Sequence, residues 1–273
     1  MSIATLPWYD FREVRPALDL LWSSVATGLR AAGLSDVPEH LMRAEDYESQ
    51  WHDERLLLGQ ACGYDMVSDE PPPLEIVATP HFDFDGCSGP TYRSFIVVPA
   101  SSHAEDLDDL RGSHCVINNV TSHSGANSLR ALLVSRLDVG QRFFSRVTVS
   151  GSHERSIAML QRGEADIATI DCVTWGLLKL HRPEELEGVR IIDRTAPAPA
   201  PPFVTHVQTP PHVVSHLRTA LGRAITQLST ASADALRLRG ISVLRRTDYE
   251  PIAAMARAAD SRGCHELRTA AFG

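Results

Sequence analysis

Hydroxyl side chains crowd one turn of the sequence, at Thr121, Ser122 and Ser124, with Gly125 directly behind them. The turn follows an apolar run and precedes a helical pattern, so we expect a strand, a turn and a helix start here. A helix start offers unpaired N–H groups and the positive end of the helix dipole. With the hydroxyls, and with glycine allowing close backbone approach, these groups could hold a tetrahedral oxyanion without a lysine. The alternative is that Ser122 or Ser124 only caps the helix.

A second strand-to-helix turn, one strand–helix unit later, places Ser152 and His153 before a helix. A histidine there can donate a hydrogen bond to an anion, although most such histidines are simply solvated caps. The next strand ends at Asp171, and Trp175 follows four residues later. Asp171 could bind a substrate ammonium, or it could cap the helix that begins after it. The sequence leaves both roles open.

Further polar and aromatic residues lie at the ends of other predicted strands. They are Tyr9, Asp10, Gln60, Tyr64, Tyr92 and Arg93. A single tyrosine of this kind is more often a packing wedge than a ligand contact. Because ligands of α/β proteins bind at strand ends, the repetition makes this set a candidate for ligand binding.

Other constellations are weaker. His212 and His216 have the spacing of a metal pair but lack the glutamate of H-E-x-x-H, and a solvated helix face explains them better. The loop 81–85 holds His81, Asp83 and Asp85, which could coordinate a hard cation, although a surface loop is the better interpretation. Lys179 is the only lysine and no P-loop motif contains it. We therefore expect neither a metal nor a cofactor.

Composition narrows the function classes. The chain has 273 residues, 43% of them hydrophobic, and a formal net charge of −8. These values indicate a globular protein of one or two domains and make nucleic acid an improbable partner. Five cysteines without a C-x-x-C pair argue against a disulfide framework or a zinc ribbon, leaving one bridge, such as Cys62 to Cys87, as an open alternative.

The first residues carry no basic, apolar leader, and no apolar stretch of the sequence is long enough to span a membrane. The expectation is a cytoplasmic chain, or a periplasmic one if a leader is missing.

Short apolar runs alternate with helical patterns, which predicts an α/β protein whose sheets are mixed and mostly parallel, with flanking helices. Two copies of the pattern suggest two lobes joined by two crossover segments. We predict a discontinuous first lobe, 1–96 plus 201–273, and an inserted second lobe, 97–200. Two extended connections would make a hinged cleft, a preferred kind of ligand site.

Several of these segments together resemble a known family, the phosphate, phosphite and phosphonate substrate-binding proteins of ABC importers. The motifs are Tyr9-Asp10, G-Q-x-C-G-Y (59–64), Y-R-S-x-x-V-V (92–98), D-L-R-G (109–112), N-x-x-T-S-x-S-G (118–125), V-x-G-S-H (149–153) and G-x-A-D-I-A-x-I-D (163–171). The resemblance covers about residues 3–230. It implies the type II periplasmic-binding-protein fold, with two lobes that close on a ligand.

The resemblance also implies roles for particular residues. In that family the hydroxyls and amides of the S-x-S-G turn bind the phosphonate oxygens; here they correspond to 121–125. The histidine of G-S-H corresponds to His153 and the cleft tyrosine to Tyr92, whereas the correspondence of Asp171 to an amine-binding acid is looser. His123 stands where the family usually has a small hydroxyl residue.

Two functions follow as hypotheses. The first is a non-catalytic receptor that binds a small oxyanion such as a phosphonate or phosphate, with an ABC permease as a candidate partner. The second is an enzyme on the same fold that acts on a small anionic metabolite, although no two of the candidate groups have the spacing of a recognised acid–base pair. The receptor is the favoured hypothesis.

Overall fold

The computed structural model describes residues 1–43, 46, 48–136, 142–268 and 271–272. Its α-helices in these ranges are α1 (Arg15–Ala31), α2 (Ser128–Arg136), α3 (His153–Gln161), α4 (Cys172–His181), α5 (Pro211–Thr226), α6 (Thr230–Leu236) and α7 (Glu250–Ser261). The strands are β1 (Ile3–Ala4), β2 (Leu56–Gln60), β3 (Leu74–Phe82), β4 (Thr91–Tyr92), β5 (Ser94–Pro99), β6 (His114–Ile117), β7 (Arg146–Val149), β8 (Ile167–Asp171), β9 (Val189–Arg194), β10 (Ala198–Pro199), β11 (Phe203–His206), β12 (Leu238–Ser242) and β13 (Ala271–Phe272).

The chain divides into two compact units. Unit 1 contains Met1–Thr91 and Pro199–Asp248, and unit 2 contains Tyr92–Ala198 and Tyr249–Gly273. The α/β class and the two-part organisation predicted from the sequence are confirmed.

Unit 1 is built on a five-stranded sheet in the order β1-β2-β11-β3-β12. Helix α1 buries the apolar stripe that its 3.6-residue period predicts, and Leu21, Trp22 and Leu29 are each at most 1% exposed. Arg218 of α5 donates from Nε to the carbonyl of Val77 (2.8 Å) and from a terminal nitrogen to that of Ile76 (3.0 Å). These bonds fix α5 to β3.

Unit 2 is built on a six-stranded sheet in the order β13-β7-β6-β8-β5-β9. Strands β6, β7 and β8 are parallel, whereas β5 runs antiparallel to both β8 and β9. A buried apolar cluster of this unit includes Ile96 and Val98 of β5, Leu129 and Leu133 of α2, and Ala259 of α7.

The chain passes from unit 1 to unit 2 at 91/92 and returns to unit 1 at 198/199. After each of these two crossings, the first strand of the main sheet runs antiparallel to its neighbours. After the crossing at 91/92 the chain enters β5, and after that at 198/199 it enters β11, which runs antiparallel to β2 and β3. The prediction of mostly parallel sheets is therefore wrong for unit 1, where β1 and β2 form the parallel pair. Local alternation of strands and helices does not reveal a strand inserted by a crossover.

The last helix belongs to unit 2, whereas the domain prediction assigned 201–273 as a whole to the first lobe. Polar groups of the helix that follows β6 bind this segment. Asn127 Nδ2 donates to the carbonyl of Ile252 (3.1 Å), and Arg130 Nε donates to the carbonyl of Cys264 (2.8 Å). Arg130 also pairs with Asp260. The residues of 250–261 form a helix with an apolar face, but their sequence does not indicate which of the two lobes this face packs against.

Several predicted elements differ in extent. The sequence pattern predicts a short helix at Ala104–Leu110, but the structure has only a 3-10 turn at Asp108–Leu110. Its aspartates explain the difference, because Asp109 Oδ2 accepts from the amide of Glu105 (2.9 Å) and Asp106 Oδ1 from that of Asp108 (2.9 Å). The pattern also predicts a helix at Ser124–Leu137. In the structure this segment begins as a π-turn, and its predicted last residue lies outside the described residues.

All five cysteines lie in the described ranges and none forms a disulfide there, so the Cys62–Cys87 bridge is not present. No helix among the described residues is long and apolar enough to cross a membrane.

Candidate ligand-binding site

One edge of the unit 2 sheet gathers most of the predicted site residues. The parallel strands β6, β7 and β8 all end there; β6 and β7 lead through a turn to a helix start, and β8 leads directly into α4. Strand β5 is antiparallel to β8 and begins at the same edge, since Ser94 is the register partner of Asp171. The topology therefore brings together residues that are more than 70 positions apart in the sequence.

The hydroxyl turn after β6 is folded around Ser122. The Ser122 side chain accepts from the amide of Gly125 (3.0 Å), and its carbonyl accepts from the amides of Ala126 and Asn127. Ser122 Oγ lies 3.3 Å from Ser124 Oγ. The capping role weighed for Ser122 is thus present, and it leaves the hydroxyl proton of Ser122 available to donate.

Thr121 differs from the two serines. Its side chain is exposed, and its amide and hydroxyl both donate to Asn119 Oδ1 (3.2 Å). In this structure Thr121 therefore closes the turn on its outer side.

Position 125 must be glycine because the side chain of Asn118 lies against its Cα. A Cβ at this position would lie 1.8 Å from Asn118 Oδ1, far inside van der Waals contact. The Asn118 carbonyl also accepts from the amide of Gly151 (3.0 Å). Asn118 therefore joins the hydroxyl turn to the turn after β7. The sequence reasoning assigned it no role, although Asn118 is the first residue of the motif N-x-x-T-S-x-S-G.

The histidine of the second turn contacts the first. His153 opens α3 behind the N-cap Ser152, and its Nε2 lies 2.9 Å from Ser124 Oγ. The same Nε2 lies 3.3 Å from Asp171 Oδ2. Burial lowers the pKa of His153, while the neighbouring Asp171 acts to raise it. Ser124, His153 and Asp171 thus form one connected group, which we call the relay.

Asp171 is held by the helix it precedes. Its Oδ1 accepts from the amides of Val173 (3.0 Å) and Thr174 (2.9 Å), and its Oδ2 accepts from the Thr174 hydroxyl. The side chain is 4% exposed. Of the two roles left open by the sequence, the structure supports the helix cap, and the carboxylate is already surrounded by donors.

The helix starts at this edge differ in a way that matters for anions. Asp171 places its own negative charge at the start of α4, which satisfies that end of the helix. The starts after β6 and β7 carry neutral serine caps, Ser122 and Ser152. The first turn of α3 holds Glu154, which pairs with Arg182, whereas the first turn of the π-turn holds no acidic residue. The positive end of the segment after β6 therefore remains for an external anion.

The relay does not have the geometry of a nucleophilic triad. In such a triad the histidine contacts the serine and the carboxylate through different ring nitrogens, so that one deprotonates the nucleophile. Here Ser124 and Asp171 are both near Nε2. The arrangement suits a serine that donates a hydrogen bond better than a serine that attacks.

Arg93 adds positive charge at the same edge. Its carbonyl accepts from the amide of Cys172 (2.9 Å), which fixes its backbone beside the start of α4. Its Nε is buried and makes no hydrogen bond to the described residues. A partly buried guanidinium without a protein acceptor for Nε is suited to a bound anion.

The aromatic candidates of unit 2 pack beside these groups. Tyr92 is 2% exposed, and its ring centroid lies 6.2 Å from that of His123. Trp175 is half-buried and meets Phe95 edge-on at 6.1 Å. Burial lowers the pKa of His123 to about 4, so this ring is neutral near neutral pH. His123 fills space under the turn, where its Nδ1 lies 3.1 Å from Asn127 Nδ2.

The candidates of unit 1 are engaged in local structure. Asp10 pairs with Arg15 and Arg43, in each case at 3.1 Å. Gln60 is buried, and its Oε1 accepts from the amide of Trp8 (3.1 Å). Tyr9 has a positive φ of 64°, and its ring meets Phe82 edge-on. Tyr64 is half-buried at the start of a 3-10 turn.

The weaker constellations take no part in a cluster. Asp83 pairs with Arg237 and Arg239, and His81 Nε2 lies 2.8 Å from Ser242 Oγ. Over the described ranges, no group of three or more histidine, cysteine, aspartate or glutamate side chains could hold a metal ion.

The fold resembles that of several solved binding proteins. PhnD1 from Prochlorococcus marinus, solved in complex with methylphosphonate, has a TM-score of 0.72 at 16% identity over 95% of this chain and 98% of that chain. A binding-protein component of an ABC phosphonate transporter from Pseudomonas aeruginosa gives 0.72 at 16% identity over 97% and 91%. XAC2383 from Xanthomonas citri, bound to ATP, gives 0.70 at 18% over 97% and 99%. These likenesses define the class as a two-unit α/β binding-protein fold.

The family follows from the sequence itself. The profile of the family described as "ABC transporter, phosphonate, periplasmic substrate-binding protein" matches residues 56–261, three quarters of the chain. The chain belongs to this family of solute-binding proteins, and the resemblance inferred from the motifs is confirmed. No curated protein matches the chain.

Proposed function

We propose that the chain binds a small tetrahedral oxyanion, a phosphonate or phosphate, at the edge of the unit 2 sheet. The observation that carries the proposal is the meeting of Ser122, Ser124 and His153 at two helix starts whose N-caps are neutral serines. Neutral donors bind an anion well in a water-poor site because hydrogen bonds to a charged acceptor are strong.

The ligand contacts proposed in unit 2 follow from this geometry. Ser122 and Ser124 would donate their hydroxyl protons, the amides at the helix starts would add further donors, and Arg93 would balance the charge. Tyr92 and Trp175 would border the site with apolar surface. We propose that Asp171 acts through His153 and does not bind the ligand directly.

We also propose an ABC permease as the partner and the periplasm as the location of the protein. Family membership supports delivery of the ligand to an ABC permease, and the family description supports a periplasmic location. Release of the native protein by osmotic shock of its own cells tests the location. Retention with the cytoplasmic marker enzymes would contradict it.

Isothermal titration calorimetry tests which class of ligand the protein binds. We expect methylphosphonate and inorganic phosphate to bind with a one-to-one stoichiometry, and acetate, which is planar, to bind at least tenfold more weakly. Recovery of the unchanged ligand by ³¹P NMR after prolonged incubation tests the receptor against an enzyme. The proposal would be contradicted if no tetrahedral oxyanion gave a binding signal in calorimetry and none changed the melting temperature in thermal-shift measurements.

A further inference from the structure

We propose that the relay makes the site a donor-only site, which selects a fully deprotonated dianion over the protonated monoanion of the same ligand. This inference rests on the proposed function and concerns the protonation state that the site accepts. Asp171 is the positioning residue that sets this preference through His153.

His153 carries a proton on Nε2. Asp171 Oδ2 lies 3.3 Å from this nitrogen, and a lone pair on Nε2 at that distance would face a negative charge. A proton on Nε2 is therefore favoured, both in the neutral ring and in the protonated one. The backbone carbonyl of Thr169 and the carboxylate of Glu154, which is paired with Arg182, also favour a protonated ring. Because Nδ1 makes no hydrogen bond to the described residues, the neutral ring keeps its proton on Nε2, beside Asp171.

The second step concerns Ser124. Because Nε2 carries a proton and lies 2.9 Å from Ser124 Oγ, the histidine donates and the serine accepts. The lone pair of Ser124 that faces His153 is then used, and its own proton is directed elsewhere. Ser122 is in the same position, since its oxygen accepts from the Gly125 amide. The two oxygens lie 3.3 Å apart, which is long for a hydrogen bond between hydroxyls, so an anion that takes both protons displaces only this weak contact and both hydroxyls donate to it.

The third step concerns the ligand. A monoanionic phosphonate carries a P–OH group, which needs an acceptor when it is buried. The Asp171 carboxylate is the charged acceptor of the relay, and its oxygens already receive the bonds of the α4 start and face His153. A dianion, in which every phosphonate oxygen accepts, matches the donors completely.

Two probes separate charge from hydrogen bonding. Calorimetry from pH 6 to pH 9 would use methylphosphonate, which gains a proton in this range, and methanesulfonate, a tetrahedral monoanion that stays deprotonated. We expect the apparent Kd of methylphosphonate to rise tenfold per pH unit below the second pKa of the ligand, without a plateau. The Kd of methanesulfonate should change less than threefold. A plateau or a flat profile for methylphosphonate would overturn the inference and leave the proposed function intact.

The variant Asp171→Asn tests the positioning role. Asparagine also caps helices, so α4 is retained, but its amide can donate to Nε2 and release Ser124 as an acceptor. We expect this variant to bind the monoanion and its pH profile to flatten. The matched control is Asp193→Asn, which removes an equal charge from β9, where Asp193 pairs with Arg136 of α2. This control should keep the wild-type dependence of the Kd on pH. An unchanged slope in Asp171→Asn would contradict the role of Asp171.

A spectroscopic measurement requires neither variant nor ligand. Two-bond ¹H–¹⁵N correlation spectra report which ring nitrogen of a histidine carries the proton. We expect a protonated Nε2 on His153 of the wild-type protein at pH 7.5. A lone-pair shift at Nε2 would overturn the inference. Failure of both probes to bind at every pH would overturn the proposed function and this inference with it.

Discussion

The same kind of sequence pattern has different outcomes in the two units. In unit 1, polar residues at strand ends bind their own surroundings: Asp10 holds two arginines and Gln60 holds a backbone amide. In unit 2, Ser124 and His153 contact each other across two turns, and the buried Nε of Arg93 makes no hydrogen bond to the described residues. A polar residue at a strand end therefore indicates a binding site only when its neighbours leave some of its hydrogen-bonding capacity unused.

The largest expected effect comes from removing both hydroxyls of unit 2. In Ser122→Ala with Ser124→Ala, two hydrogen bonds to a charged acceptor are lost, each worth about 1.5–3 kcal/mol. We expect the affinity for methylphosphonate to fall at least 100-fold in calorimetry. Ser135→Ala, whose hydroxyl donates to the Leu132 carbonyl within α2, is the control and should bind normally. If the double variant bound with unchanged affinity, the polar strand-end residues of unit 2 would be no more involved in ligand binding than those of unit 1.

Gly125→Ala tests the packing under the turn. The new Cβ would overlap Asn118 Oδ1, and such overpacking typically costs about 1–3 kcal/mol. We expect lower stability in urea denaturation and weaker ligand binding. Adding Asn118→Ala should recover part of the stability, because the overlapping atom is gone. Gly222→Ala in α5, where the nearest atom is 3.9 Å away, should stabilise unit 1 instead.

His123 predicts a pH dependence of stability. Its folded pKa of about 4 lies below the ordinary value of 6.5, so the unfolded chain binds the proton more tightly. The contribution of the neutral ring is complete above pH 6.5 and is lost as the pH falls towards 4. At pH 5 the wild type should have lost about 2 kcal/mol more, relative to pH 7.5, than His123→Gln. Parallel pH profiles of the two proteins in urea denaturation would contradict the prediction.

The smallest effect is expected in unit 1. Asp10→Asn weakens two ion pairs at the surface of the unit, which we expect to cost about 1 kcal/mol of stability. Because this carboxylate serves its own unit, ligand affinity should change less than twofold. A tenfold loss of affinity without a loss of stability would show that Asp10 belongs with the binding residues.

Local patterns predicted much of this fold. The sequence pattern predicts an amphipathic helix at Pro16–Ala32 and strands at Leu56–Gln60 and Arg146–Val149. The apolar stripe of α1 and the bounds of β2 and β7 agree with these predictions, because each depends on residues that are close in sequence. The unit to which α7 belongs and the antiparallel course of β11 could not be predicted in this way. Both depend on contacts between segments that are more than 100 residues apart.

The candidate site shows the same limit. The S-x-S-G turn and His153 were found because helix starts and hydroxyl residues leave a clear local signal. The cap role of Asp171 remained one of two alternatives, since only the structure gives its bonds to Val173 and Thr174. Asn118 was missed because its contact with Gly125 depends on the path of the turn.

A crystal structure with bound methylphosphonate would show whether the hydroxyl turn holds the ligand. We expect phosphonate oxygens about 2.6–3.0 Å from Ser122 Oγ and Ser124 Oγ, at the start of the helix after β6. A phosphonate group bound anywhere else, with these two hydroxyls still turned only toward Gly125 and His153, would contradict it.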